Sequence, residues 1–154
     1  MVRTVCWLPA VLLGLIVSGC APGTPDEDSW RVDALRSIGD VSSSVSSVQL
    51  ALQHHNRLFG PYLQTVAVQA EDAAGTASTK LSAVQPPEPY QGRSDTVTSA
   101  LDDAESLLTD ARIAVVRRDS AAYADLVRRL KRTGDRLSRI EDRIRALPDD
   151  RSRP

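Results

Sequence analysis

Between residues 25 and 148 the apolar residues recur mostly at steps of three and four, in four stretches divided by proline, glycine and turn residues. That spacing puts them on one face of a helix, and no strand-like alternation competes with it. The first stretch is Ala34, Ile38, Val41, Val45, Val48, Leu52 and Phe59, with His55 in the gap, and it predicts a helix over 25–59. Thr24-Pro25-Asp26-Glu27 reads as a capping box with proline at the first helical position. The acids at 26–28 suit the positive end of the helix dipole. Gly39-Asp40 is a point where this helix can divide, and the serines of 42–47 have only modest helix propensity, so packing must hold them. Gly60-Pro61 ends it.

The second helix is expected over 61–85, with the seam Leu63, Val66, Ala70, Ala73, Ala77, Leu81 and Val84 and a weak point at Gly75-Thr76. Its small residues allow a neighbour to come close. Pro86-Pro87-Glu88-Pro89-Tyr90-Gln91-Gly92 is a loop by its punctuation, and Tyr90 in it is expected to be exposed. The third helix, 95–118, is capped by Ser94 or Asp95 and carries Val97, Leu101, Ala104, Leu108, Ala111 and Val115. The fourth, 120–147, follows a turn at Asp119-Ser120 and carries Tyr123, Leu126, Leu130, Gly134, Leu137, Ile144 and Leu147 before Pro148 stops it. Gly134 on that seam is a propensity defect or a point of close approach to the alanine-rich second helix. Four amphipathic helices with mostly short connections predict an all-α fold, an antiparallel up-down-up-down four-helix bundle. The tail, 149–154, is expected to be disordered.

The residues before the bundle read as an address. One positive charge, Arg3, precedes an apolar run of 13 residues, Val5 to Val17. A spanning helix needs about 20, so the run fits a signal-peptide core instead. It ends in Val17-Ser18-Gly19-Cys20, which resembles the lipobox of bacterial lipoproteins: an aliphatic residue, two small residues and a cysteine. The resemblance implies that 1–19 is a lipoprotein signal peptide cleaved before Cys20. It also implies that the Cys20 thiol and the new amine are acylated with fatty chains such as palmitate. A mature chain of 135 residues would then hang by a short tether, 20–24, from the extracytoplasmic face of the cell membrane. Several acyl chains anchor stably where one is marginal. Cys6 leaves with the signal, which excludes redox chemistry by a free thiol. With 17 arginines against two lysines and abundant alanine, the makeup also resembles small lipoproteins of high-GC actinobacteria, a likeness that implies no activity.

The net charge of −1 hides an asymmetry. Residues 20–111 hold five basic and thirteen acidic residues, whereas 112–154 hold thirteen basic and seven acidic. Arg128, Arg132, Arg136, Arg139 and Arg143 fall at steps of four, four, three and four, one stripe along the last helix. One reading is a solvated face, with Asp125/Arg129, Asp135/Arg139 and Glu141/Arg145 paired along the helix and Asp102, Asp103, Glu105 and Asp110 alongside. The other is an anionic partner: lipid headgroups, a wall polymer or an acidic protein surface. Nucleic acid is not expected, since no aromatic interleaving or reading motif accompanies the charge.

Candidate chemistry is sparse. His54 and His55 are the only imidazoles, and neighbours on a helix diverge by about 100°, so they do not chelate one metal. No Cys-x-x-Cys-His and no Gly-x-Ser-x-Gly occurs. The acidic pairs Glu71-Asp72 and Asp102-Asp103 are sequence neighbours whose carboxylates diverge, so solvated faces explain them better than acid–base catalysis. Trp30 either packs on the bundle's end or sits at headgroup level. The expectation is a membrane-anchored, non-catalytic interaction module of the cell envelope, without cofactor or metal, that binds an envelope protein, anionic lipid or wall polymer. A carrier holding an apolar or acyl ligand inside the bundle is the alternative, and an enzyme a remote one.

Overall fold

The computed structural model describes residues 27–147. The signal peptide 1–19, Cys20, the tether, the Thr24-Pro25 part of the capping box and the tail 149–154 lie outside the described residues. Within them the chain is a helical bundle: α1 (Glu27–Gln53), a 3-10 turn (His55–Arg57), α2 (Gly60–Ser82), a second 3-10 turn (Glu88–Tyr90), α3 (Gln91–Val116) and α4 (Ser120–Arg145). No strand occurs among the described residues.

Helix α1 is the centre of the bundle, lying against α2, α4 and α3. Its seam from Ala34 to Leu52 is buried as the spacing predicts, and Trp30 extends it by one turn. It does not divide at Gly39-Asp40. Ile38 and Val41, both fully buried, carry the helix across a residue whose helix penalty is only about 1 kcal/mol. Nor does it reach 59: it stops at Gln53, and Phe59 is 76% exposed rather than on the seam. Phe59 is extended, ψ 131°, as the N-cap of α2, and one residue cannot also continue α1. Pro61 then sits in the first turn of α2, where its missing N–H costs nothing.

On α2 the buried residues are Leu63, Ala67, Ala70, Ala74, Ala77, Ser78 and Leu81. Val66 is only half-buried and Ala73 is exposed, so the seam runs one residue later at both places, through Ala67 and Ala74. The helix ends at Ser82, before Val84. Helix α3 begins at Gln91, four residues before the expected start, because the turn through Glu88-Pro89-Tyr90 feeds directly into it. Its whole expected seam is buried.

On α4, Ile140 fills the gap between Leu137 and Ile144, a core position the seam omitted. Gly134 faces α1, not α2: a Cβ there would meet Val45 at 3.9 Å, ordinary contact, so close approach does not require the glycine. The α3–α4 turn closes with Arg118 N–H donating to Val115 O (3.1 Å) and Asp119 N–H to Ala114 O (2.9 Å). This is a Schellman pair, whose left-handed residue is usually glycine. Here it is Arg118, at φ 57°.

Candidate functional site

Where α1 gives way to α2 the surface opens into a groove of about 720 Å³. Ser43, Ser44 and Ser47 line its α1 wall, Tyr62, Val66 and Gln69 its α2 wall, and His54 and Leu58 its end. The serines follow from α1's face pattern: they flank the Val41–Val45–Val48 seam, and Ser44 Oγ is turned inward to donate to Asp40 O (3.1 Å). Leu50 and Tyr62, both in the lining, are 59% and 57% exposed, and Phe59 stands next to Leu58 in the chain. Among the described residues the large exposed apolar side chains are Val32, Leu50, Phe59, Tyr62, Val68 and Val116, and of these Leu50 and Tyr62 line the groove. Scattered apolar residues on a surface mean little, whereas exposed apolar residues lining a groove give a surface able to bind. The period-3.6 pattern does not reveal this group. Phe59 entered the expected core, and Leu50 and Tyr62 fell between seam positions.

His54 lines the groove, whereas His55 is half-buried behind it. His55 Nδ1 lies 2.9 Å from Leu52 O. A carbonyl only accepts, so Nδ1 carries the proton. The His55 ring meets Tyr123 edge-on at 5.0 Å, tying the end of α1 to the start of α4. Burial raises the Tyr123 phenol above its usual pKa, and Asp119 adds to the shift.

The opposite end of the bundle is closed. Trp30 is fully buried and stacks on Tyr90 at 5.3 Å, with the Arg93 guanidinium 5.3 Å from the Tyr90 ring. Tyr90 is thus buried rather than exposed, and Trp30 packs in the bundle instead of standing free at headgroup level. The Tyr90 hydroxyl donates to Glu27 Oε2 (3.1 Å). Burial raises the Tyr90 pKa, and the bond to Glu27 raises it further. Arg31 Nη1 donates to Leu147 O (3.1 Å), fastening the start of α1 to the end of α4.

The arginine stripe on α4 is divided. Arg128 pairs with Asp125 (3.0 Å), and Arg136 with Asp103 on α3 (2.5 Å). Arg132, Arg139 and Arg143 are exposed and take part in no ion pair among the described residues. Two of the expected pairs along the helix are exchanged for others: Asp125 holds Arg128 rather than Arg129, and Asp135 holds Lys131 (3.0 Å) rather than Arg139. Arg129 turns across to Asp110 (2.9 Å), while Glu141 holds Arg145 as the spacing predicts.

The acidic pairs come apart as their spacing requires. Glu71 is clasped by α3, accepting from Thr109 Oγ1 (2.8 Å) and from Arg112 Nε, while Asp72 is exposed. Asp103 goes to Arg136, and Asp102 faces outward. No group of three metal-ligating side chains converges among the described residues. No described helix is long and apolar enough to cross a membrane. No protein-family model, no curated protein and no solved structure matches this chain.

Proposed function

We propose that the chain is a lipoprotein anchored through acyl chains on Cys20 to the extracytoplasmic face of the cell membrane, and that its bundle is a non-catalytic interaction module of the envelope. The observation that carries the interaction reading is the groove between α1 and α2, with Leu50 and Tyr62 in its lining and Phe59 beside it. The lipobox-like run Val17-Ser18-Gly19-Cys20 supports the anchor. On this reading the helices alternate up and down. Supporting that topology, Asp110 meets Arg129 and Asp103 meets Arg136, so numbers rise along α4 as they fall along α3. The Arg31–Leu147 and His55–Tyr123 contacts relate α1 to α4 in the same opposed sense. The groove then lies along the half of α1 remote from residue 27, about 25–40 Å away along a helix of 27 residues.

Two measurements test the two halves. A fatty-acid analogue fed to cells that make the protein should label it, and Cys20→Ala should abolish the label. A photo-crosslinking residue at position 59 should trap one envelope protein in intact cells, whereas the same residue at Ser138, on α4, should not. Equal yields at the two positions would sink the groove as the partner site.

A second reading has one observation in its favour. A groove of about 720 Å³ falls within the size range of small-molecule sites. An acyl ligand there would lie against the serines of α1 in a groove open to solvent, so a protein partner fits the lining better. A fluorescent fatty acid that binds, and is displaced by Tyr62→Ser, would favour the carrier.

A further inference from the structure

Resting on the anchored reading, we infer that the outer face of α4 docks on the anionic phospholipid headgroups of the membrane that holds the protein, so that the bundle lies along the membrane rather than standing on it.

Three observations carry this. At about 100° per residue the five stripe arginines occupy an arc of about 80°, and the unpaired three, Arg132, Arg139 and Arg143, lie along its centre line. Arg128 and Arg136, at its edges, are the two already held by carboxylates. Between Arg132 and Arg143 the nearest acids on the helix, Asp135 and Asp142, fall about 60–80° off that line, and Asp135 is engaged by Lys131. The result is a strip about 16 Å long with unneutralised positive charge on a helix whose opposite face is buried. Unpaired guanidiniums in a row match phosphodiesters spread over a surface, since each offers a fork of donors to a phosphate.

The second observation is position. Arg31 holds the end of α4 beside the start of α1. Only residues 21–26 separate Cys20 from α1, a reach of at most about 20 Å. The anchor therefore lets Arg139 and Arg143 reach the headgroups, where an anionic surface attracts basic residues within about a Debye length. The third is what the posture leaves free. Helix α4 packs on α1 and α3, and α2 packs on the same two, so α4 and α2 occupy opposite corners. With α4 down, the α1–α2 groove stays open to a partner.

The test uses the full chain carrying Ser120→Cys, labelled with a donor dye and reconstituted into phosphatidylcholine vesicles with or without phosphatidylglycerol, with acceptor dye on the headgroups. Dye stoichiometry reports the anchor separately. One dye per chain is expected if the leader is gone and Cys20 acylated, and three if Cys6 and Cys20 remain free thiols. In phosphatidylcholine, energy transfer should place residue 120 about 40 Å above the surface, one helix length. Phosphatidylglycerol should bring it to about 10 Å, near one helix diameter. The variant R132E/R139E/R143E, or 0.5 M salt, should restore the larger height, and Arg→Gln at the same sites should give an intermediate one. An equal height in both lipids, or a drop that persists in the triple variant, overturns the proposal. So does binding of a soluble glycerol-phosphate polymer with no drop on phosphatidylglycerol, which would assign the stripe to a wall polymer. If three dyes per chain are found, co-flotation with phosphatidylglycerol vesicles replaces the height. Loss of flotation in the triple variant then supports the docking face, and unchanged flotation overturns it.

Discussion

The two ends of the bundle are built on opposite plans. At the start of α1 the aromatic residues turn inward: Trp30 is fully buried, Tyr90 lies over it, and Glu27 accepts a hydrogen bond from the Tyr90 hydroxyl. At the other end Phe59 and Tyr62 turn outward and stand in solvent beside a groove, while Tyr123 is buried against the His55 ring. The chain has few aromatic residues to place. Committing two of them to stability at one end and two to the surface at the other separates where the fold is held from where it can bind.

The sharpest break of that contrast is Trp30→Ala. Removing a fully buried indole leaves a cavity that packed helices refill only in part, at a cost of about 3–5 kcal/mol. Urea denaturation should show the loss as a lower midpoint. A cost under about 1 kcal/mol would mean that this end does not hold the fold.

Tyr90→Phe keeps the stacking and removes only the hydrogen bond to Glu27, so about 1 kcal/mol is expected. It also changes the alkaline limb. Burial first, then the bond to Glu27, raise the folded Tyr90 pKa above the ordinary value of about 10. The unfolded chain therefore loses the phenolic proton first, and stability falls as pH rises from about 10 towards the folded pKa. Tyr123 adds to that fall through its own burial and Asp119. In Tyr90→Phe only the Tyr123 part remains, so the decline above pH 10 should be shallower. An unchanged decline would place the titration at the other end.

The helical class and most of the core were legible because burial follows a 3.6-residue period. Every expected seam position of α3 is buried, as are those of α1 from Ala34 to Leu52. The departures from that period lie on α2 and at its approach. On α2 the periodic position is Ala67, not the larger Val66, because a helix in close contact with two others takes the smaller side chain. Phe59 falls seven residues after Leu52, at a seam spacing, but the approach to Pro61 makes it a cap. The Pro-rich loop hid Tyr90, whose stacking on Trp30 spans 60 positions and leaves no periodic trace. The stripe was readable as a row of arginines. Which of them are neutralised depends on Asp103 of α3, a partner that only the tertiary fold supplies.

Backbone strain is a further difference between the ends. Arg118 holds a left-handed conformation, which costs an L-residue about 1–2 kcal/mol and glycine little. Arg118→Gly should therefore stabilise the protein, by about 0.5–1 kcal/mol once glycine's greater unfolded freedom is subtracted. Thermal unfolding should register a rise of a few degrees. A fall would show that the Arg118 side chain holds something at this turn.

The smallest stability effect, and the most telling, belongs to Phe59→Ser with Tyr62→Ser. Both side chains are mostly in water, so removing them exposes no core and leaves no cavity. Phe59 caps α2 through its extended backbone, without a side-chain bond, and serine is a better residue at that position. Stability should stay within about 0.5 kcal/mol of the parent chain. A folding role would predict a loss comparable to Trp30→Ala, because both sites would then be doing the same job at their own ends. If stability holds while crosslinking from a photo-reactive residue placed at Leu50, in the groove lining, disappears, the aromatic residues at this end serve recognition alone. An intact crosslink would move the contact to the serine wall of α1, which the double variant leaves untouched.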